Sequence, residues 1–362
     1  MGTPRWTGWG GRMWVPWRVS SAASAQNSSF AAGRRAVRVA RSVKGVLDST
    51  AMNETGSPLE RPRVAALDAI LGKPFRVLDD GLVRVIDYMG SDESIVQAAR
   101  VSYGAGTKRI HEDRGLIRYL MRHRHTTPFE MCEIKLHVRV PMDCWRQWIR
   151  HRTASVNEYS TRYSVAIDSA QTTPAEAWRL QSKKNRQGSD ETLDPSRGAI
   201  FSKKEADLHA ASRKIYEERL AEGISREQAR KDLPLSTYTE AYWKTNLHNL
   251  LHFLKLRMDA RAQEEIRAYA GTIGTEVVSR WCPITWEAFL DYSLHALELS
   301  ATEWKVVAAV GASDTAGATE IAKAAGMLNM VDGRLAKNRE REELEAKLRQ
   351  LNLPVPWSPG TA

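Results

Sequence analysis

The stretch from Trp145 to Ser164, WRQWIRHRTASVNEYSTRYS, concentrates side chains that could bind a charged ligand. On a helix, Gln147, Arg150 and His151 share one face, because residues three and four apart are neighbours. More polar residues follow closely: Arg152, Asn157, Glu158, Ser160 and Arg162. Guanidinium groups bind phosphate through paired hydrogen bonds, so this set suits a polyanion that also carries a hydrogen-bonding ring. The alternative is a solvated helix end, with Ser155 and Glu158 forming a capping box.

A second basic cluster precedes a turn. The segment RHRHTTPFE, from Arg122 to Glu130, places His123 and His125 between arginines and just before Thr-Thr-Pro. An isolated surface histidine usually has no special role, but histidines packed among arginines indicate a loop that faces phosphate.

A third candidate is the segment from Thr239 to Arg267, for which the apolar spacing predicts a helix over 239–258. Its apolar face comprises Leu247, Leu250, Leu251, Leu254 and Met258. On this helix Asn246 and Arg257 lie within about 20° of each other and about 16 Å apart along the axis, with Asn249, His248 and His252 extending the polar arc. The two histidines have metal-ligand spacing, but HNLLH lacks the Glu of HExxH and no third ligand is evident, so zinc is not expected.

Alternating and helical patterns must position these candidates, and they predict an α+β fold. Strands are expected over 82–89 and 133–140, the second from strict alternation of apolar and charged residues. A helix starts at Pro141, taken as its first residue. The segment 171–197 is polar and is expected to be a long loop. Other helices are predicted at 92–101 behind Ser91, 112–122, 203–221, 225–232 with a Ser225–Gln228 capping box, 262–279, 284–297 and 334–351.

Composition excludes several classes of protein. The 362 residues are 42% hydrophobic and carry a formal charge of +10, but residues 1–47 hold seven Arg, one Lys and no acid. Only two excess charges remain for the rest of the chain, so no broad nucleic-acid footprint is expected. No apolar run is long enough to cross a membrane. Three scattered cysteines predict neither a disulfide framework nor a CxxC metal site, and they fit a reducing cytoplasm.

Residues 1–60 are expected to be a basic extension outside the catalytic domain. Their basic, Ser-rich, acid-free start resembles an organelle transit peptide; the alternatives are a disordered leader or a misassigned start, with Met52 as the true one. The chain is therefore divided into this extension (1–60), a catalytic domain (70–310) and a peripheral charged helical tail (311–362). Motifs of other enzyme classes, GxGxxG after a strand, GxxxxGK[ST] and GxSxG, are absent from the sequence.

RHR followed by seven residues and Ser (Arg150, His151, Arg152, then Ser160) resembles the signature of the flavin-dependent thymidylate synthases. The resemblance spans about Leu82 to Tyr292 and includes HTTPFE, LPLSTYT, NLHNLLHFLKLR and AQEEIR. It implies a mixed sheet flanked by long helices and a homotetramer with shared active sites. It also implies reductive methylation of dUMP to dTMP, with methylene-tetrahydrofolate as carbon donor and FAD carrying hydride from NADPH. The cofactor then carries the difficult chemistry, and no cysteine nucleophile is needed.

The resemblance also implies site residues. The catalytic residue is Arg257, a fixed cation that would stabilise negative charge developing at uracil N3. The implied dUMP set is Gln147, Trp148, Ile149, Arg150, Glu158, Tyr159, Ser160, Thr161, Arg162, Arg230 and Arg257. The implied FAD set is His125, Thr127, Arg150, His151, Arg152, Glu158, Asn246, Leu247, His248 and His252. Three positions depart from the family pattern: Arg261 and Met131, where His is common, and His248, which is frequently Arg.

Two other functions remain open from the residues. One is a nucleic-acid-binding protein whose basic leader contacts phosphates, against which the near-neutral remainder of the chain argues. The other is a degenerate homologue that binds nucleotide without turnover.

Overall fold

The structure is a computed structural model and describes residues 61–101, 110–182 and 188–358. Its strands are β1 (Pro74–Val77), β2 (Gly81–Met89), β3 (Glu133–Pro141), β4 (Ser155–Glu158), β5 (Arg179–Gln181), β6 (Ser189–Thr192), β7 (Tyr238–Asn246), β8 (Met330–Val331) and β9 (Arg334–Leu335). Five of them form one sheet in the order β1-β2-β3-β7-β4, and each neighbouring pair is antiparallel. The α+β class is confirmed, and this sheet is antiparallel where a mixed one was expected.

Helices cover most of the remaining described chain. They are α1 (Ala65–Asp68), α2 (Asp92–Val101), α3 (Ile110–Arg122), α4 (Thr127–Glu130), α5 (Met142–Trp148), α6 (Pro195–Ala221), α7 (Arg226–Ala229), α8 (Leu247–Arg257), α9 (Glu264–Thr272), α10 (Ser279–Trp281), α11 (Pro283–Phe289), α12 (Ala301–Gly311), α13 (Thr315–Ala324) and α14 (Arg339–Gln350). Two π-helical segments, Ile273–Val278 and Leu290–Leu294, continue α9 and α11.

Strand β3 occupies the position predicted from its alternation. Its inward positions from Ile134 to Val140 are buried, and the charged positions between them are half-buried on the other face. β3 pairs with β7 along its whole length, from Glu133 opposite Asn246 to Pro141 opposite Tyr238. Pro141 is the last residue of β3 and the N-cap of α5, so the helix begins at Met142, one position after the start that was predicted.

Aromatic packing fixes the helices that carry the basic residues against the sheet. The Trp148 ring centroid lies 5.3 Å from that of Trp243, 4.8 Å from that of Phe253 and 5.8 Å from that of Tyr269. All four side chains are at most 1% exposed. Large aromatic groups dominate the hydrophobic stabilisation of such a core. This cluster therefore sets the relative positions of α5, β7, α8 and α9.

The predicted helix over 239–258 is wrong in its first half. Residues Tyr238–Asn246 form β7, and the helix begins only at Leu247. The strand sequence YTEAYWKTN is rich in aromatic and β-branched residues, which favour a pleated, half-buried surface. Asn246 then caps α8 by accepting a hydrogen bond from the backbone N–H of Asn249 at 2.9 Å.

Smaller predictions also need correction. Segment 171–197 contains a short 3₁₀ turn, the β5–β6 hairpin and the start of α6, which begins at Pro195 behind the capping residue Asp194. Ser225 precedes α7 without a side-chain capping bond, so the expected box with Gln228 is absent at this described helix. Ser155 and Glu158 lie in the strand β4 and do not cap a helix. The last helix begins at Arg339, because β9 occupies Arg334–Leu335.

The last three helices share a separate small core. α12, α13 and α14 pack around a buried set of side chains: Val306, Val310, Ala318, Ala322, Met327, Leu344, Leu348 and Val355. In the same unit, the Lys347 ammonium lies 2.7 Å from the Glu303 carboxylate, and Glu303 is 5% exposed. Residues 311–362 had been expected to form a peripheral charged tail; the described part of that tail joins α12 in a helical unit with its own core.

The predictions for residues 1–60 lie outside the described residues. Among the residues that the structure describes, no helix is long and apolar enough to cross a membrane.

Candidate active site

A cavity of about 370 Å³ opens where the segment after α5 passes β7 and α8. Its walls combine the end of the RHR run with residues of the strand and the helix: Arg150, His151, Arg152, Thr153, Trp243, Thr245, Asn249, His252, Leu256 and Arg257. The hydroxyl of Thr245 donates to the backbone carbonyl of Thr153 at 3.1 Å, which ties the segment after the RHR run to β7. Two sequence-predicted groups, the RHR run and α8, therefore meet in one cavity.

A hydrogen bond between two basic side chains lies at the centre of this cavity. Arg257 Nε donates to His151 Nε2 at 3.1 Å, and an Arg257 terminal nitrogen donates to the Gln147 carbonyl at 3.3 Å. Burial, then the Arg257 charge and His252, lower the pKa of His151 from 6.5 to about 4. His151 is therefore neutral at pH 7. Because its Nε2 accepts, its proton is on Nδ1 and is available to a ligand.

The cavity carries positive charge without a compensating acid. Within the described residues, none of Arg150, Arg152 and Arg257 forms an ion pair with a carboxylate at 4.0 Å or less. Burial, followed by the charge of Arg150, lowers the pKa of Arg257, which shows that the two guanidinium groups act on each other. Arg150 and Arg152 are exposed and Arg257 is half-buried. Guanidinium groups without an acidic partner favour the binding of an anion.

Aromatic and amide groups line the α8 side of the same cavity. The His151 ring centroid lies 5.8 Å from that of His252 and 5.0 Å from that of Phe253. Asn249 donates from its side-chain nitrogen to the Asn246 side-chain oxygen at 2.8 Å, so the N-terminal end of α8 presents linked amides next to the arginines. The indole nitrogen of Trp243 is buried without a hydrogen-bond partner among the described residues.

The predicted dUMP residues fall into two groups in this chain. Gln147, Ile149, Arg150 and Arg257 belong to the cavity end. Glu158 is the last residue of β4, which runs for roughly 10 Å from Ser155, and residues 159–162 follow the strand. In this second group Arg230 donates to the Thr161 hydroxyl, and Arg162 lies 3.3 Å from Glu227. The Thr239 hydroxyl donates to Glu158 at 2.9 Å. Tyr159 donates through its hydroxyl to the Val165 carbonyl at 2.8 Å, and half-buried Ser160 lies beside it.

Several predicted site residues lie away from the cavity. The side chains of Trp148 and Leu247 are fully buried in the main core, so they do not present side-chain groups to a ligand in this structure. His125 is exposed and packs near Tyr119, with ring centroids 5.8 Å apart, and exposed Thr127 begins α4. His248 is half-buried on the first turn of α8 and is absent from the cavity wall.

Four residues of the cavity were not predicted from the sequence: Thr153, Trp243, Thr245 and Leu256. Trp243 and Thr245 were read as part of a helix. Alternation over 238–246, with inward Ala241, Trp243 and Thr245, was the signal that would have placed them on the buried face of a strand.

Fold and site together define an α+β protein with a cationic, carboxylate-free cavity suited to a phosphorylated ligand that carries a ring. The family model described as thymidylate synthase complementing protein matches residues 84–284. The flavin-dependent thymidylate synthase of Wolbachia pipientis wMel is 50% identical over 256 residues, covering 71% of this chain and 89% of that protein. The enzyme of the same name from Gluconobacter oxydans is 52% identical over 252 residues, covering 68% of this chain and 82% of that protein.

A solved structure agrees with these relatives. The UMP/dUMP methylase PolB from Streptomyces cacaoi, bound with 5-Br dUMP, superimposes with a TM-score of 0.56 at 31% identity, covering 61% of this chain and 99% of that one. The chain belongs to the flavin-dependent thymidylate synthase family. The resemblance inferred from the RHR signature is thereby confirmed.

Proposed function

We propose that this protein converts dUMP to dTMP by reductive methylation, with FAD as cofactor, methylene-tetrahydrofolate as carbon donor and NADPH as reductant. The observation that carries the proposal is the Arg257–His151 pair in a cavity where no described carboxylate neutralises the arginines. The names of the relatives and the nucleotide bound to PolB support a flavin and a pyrimidine monophosphate as ligands.

The residues of the cavity fit these ligands in charge and shape. Arg150 and Arg152 would hold phosphate oxygens, and His151 and His252 would lie against a flat ring. Arg257 is a fixed cation that would stabilise negative charge developing on the pyrimidine ring. Neutral His151 takes no proton near pH 7, so it keeps Arg257 oriented without adding a competing charge. The flavin, when bound, supplies hydride transfer.

The two groups of predicted dUMP residues support an assembly with shared sites. Residues 158–162 and Arg230 are held together by their own contacts, at the far end of β4 from the Arg257 cavity. A site completed by a second copy of the chain would bring such separated groups to one nucleotide, as in the homotetramer that the family resemblance implies. The proposed compartment is the cytoplasm, supported by three buried cysteines that are all free thiols.

Replacing Arg257 by Ala tests the proposed chemistry. Loss of the only guanidinium bonded to His151 among the described residues should reduce dTMP formation by about a hundredfold or more, the usual effect of deleting one charge-stabilising donor. The measurement is dTMP produced from dUMP, methylene-tetrahydrofolate, NADPH and FAD. Arg349→Ala, at an exposed arginine of α14, is the matched control and should keep normal turnover.

Two results would contradict the proposal. Normal turnover in Arg257→Ala would exclude the assigned role of that residue. A wild-type protein that binds dUMP and forms no dTMP would be the degenerate homologue, and one that instead retains DNA in a salt-sensitive manner would be the nucleic-acid-binding alternative.

A further inference from the structure

We propose that Gln263 is a positioning residue that fixes the side-chain amide of Gln147, so that Gln147 presents its oxygen to the nucleotide and recognises a hydrogen-bond donor on it. This inference rests on the proposed function, because it assumes that Gln147 contacts the pyrimidine nucleotide.

A chain of amide contacts joins α5 to the start of α9. Gln147 Nε2 donates to Gln263 Oε1, and Gln263 Nε2 donates to Asp143 Oδ2 at 3.1 Å. Asp143 and Gln147 are one turn apart on α5, and Gln263 is the N-cap residue of α9. All three side chains are half-buried. The side-chain amide of Gln263 therefore bridges Asp143 and Gln147.

Chemistry decides the direction of these hydrogen bonds. The oxygen and nitrogen of an amide have nearly the same shape, so only their partners can distinguish them. A carboxylate can only accept, so the nitrogen of Gln263 must face Asp143. Its oxygen must then face Gln147, and only the nitrogen of Gln147 can donate to it.

A second carboxylate supports the same direction. Burial tends to raise the pKa of Glu265, but hydrogen bonds from its own backbone N–H, from Gln263 and from Arg179 outweigh it and lower that pKa. Arg179 lies 2.9 Å from this carboxylate. Glu265 is therefore an anion next to Gln263, and its charge favours the orientation in which the Gln263 nitrogen, rather than its oxygen, faces the acids.

The free atom of Gln147 is then its oxygen. Among the described residues no donor reaches Gln147 Oε1, while the backbone carbonyl of the same residue accepts from Arg257. The cavity is otherwise dominated by donors, with three arginines and two histidines on its walls. One fixed acceptor at its edge would select an N–H or O–H of the nucleotide, such as the imide N3–H or the sugar 3′-hydroxyl.

The test compares nucleotides that keep or lack these donors. Dissociation constants for dUMP, N3-methyl-dUMP and 2′,3′-dideoxyuridine monophosphate are measured by titration calorimetry on the FAD-loaded protein. Wild type should bind one of the two analogues about three- to tenfold more weakly than dUMP, which identifies the donor that Gln147 reads. Equal affinity for all three nucleotides would overturn the proposal.

Gln263→Met removes the orienting group at nearly constant length. It should weaken dUMP three- to tenfold and leave the analogue that lacks the donor unchanged, so that the discrimination disappears. Gln350→Met, at an exposed position of α14, should keep the wild-type ratio. Equal weakening of all three nucleotides by Gln263→Met would indicate a merely structural role and would overturn the proposal.

Gln147→Glu provides a second test that does not depend on the folding of Gln263→Met. A carboxylate is an acceptor in either orientation, so the preference for the donor-bearing nucleotide should persist even if overall affinity falls. Loss of that preference would mean that the nucleotide contacts the Gln147 nitrogen, contrary to the proposal. Failure of wild type to bind dUMP at all would instead reject the proposed function.

Discussion

At the scale of single residues, the contact between His151 and Arg257 explains most of the behaviour expected of the site. A histidine that accepts from a guanidinium must be neutral, and burial next to that cation keeps it so. Its ring therefore orients Arg257 and offers Nδ1–H to a ligand, while the positive charge stays on the arginines. Both roles depend on pH through a single group.

The titration of His151 should be visible in protein stability. Its pKa is lowered from 6.5 to about 4 in the folded chain, so between these values the unfolded chain binds a proton that the folded chain does not. The free energy of unfolding should therefore fall as the pH drops from about 6.5 to about 4, and this contribution should level off below that. Urea unfolding at a series of pH values measures it.

His151→Gln is the reference for this measurement, because all other titrating groups are common to both proteins. As the pH drops across this window, the free energy of unfolding should fall more for wild type than for the variant. Parallel curves for the two proteins would show that His151 is not shifted.

Sequence alone predicted the charged residues of the cavity, but not all of the other residues that complete its walls. Arg150, His151, Arg152 and Arg257 were all identified, because a signature and a helical wheel depend only on residue type and spacing. Trp148 was assigned to the nucleotide, although its ring is in the core. Packing against β7 and α8 decides which contacts its ring makes.

At the scale of elements, the junction between β7 and α8 places the amides at the cavity. The sequence suggested one continuous helix there, because the apolar residues after Asn246 follow a helical period and those before it were counted with them. The strand is decided by pairing with β3 on one side and β4 on the other, which is non-local information. By contrast, β3 was predicted correctly from its own alternation.

Asn246 can be tested as a cap separately from any ligand role. Asn246→Ala removes the acceptor for the Asn249 N–H and should lower the free energy of unfolding by about 1 kcal/mol. Asn246→Ser keeps a capping oxygen and should retain most of the stability. Denaturant unfolding of the protein without added cofactor measures both. Equal stability of the Ala variant and wild type would show that the cap is not needed.

At the scale of the whole molecule, the part of the chain that matches the family is the part that contains the site. The family model covers residues 84–284, and every residue of the cavity lies within that range. Most of the excess positive charge lies in residues 1–47, outside it. The helical unit of α12–α14 also follows the matched range, and its separate core includes Leu344 and Leu348 of the highly charged helix α14.

Deletion of residues 1–51 tests whether the basic extension contributes to function. A chain that starts at Met52 keeps the whole family match, so turnover and thermal midpoint should equal those of the full-length protein. The comparison uses dTMP formation and thermal unfolding of both proteins under the same buffer conditions. An inactive or insoluble shortened chain would assign the extension a structural role.

The central claim is that arginine and histidine side chains from the RHR run and from α8 hold a flavin next to a pyrimidine monophosphate. The most direct measurement is the visible absorption spectrum of the full-length protein, loaded with FAD and titrated with dUMP without oxygen. We predict that the protein retains a yellow flavin through gel filtration and that dUMP shifts its absorption band in a saturable manner. A colourless protein, or a flavin band that dUMP leaves unchanged, would contradict it.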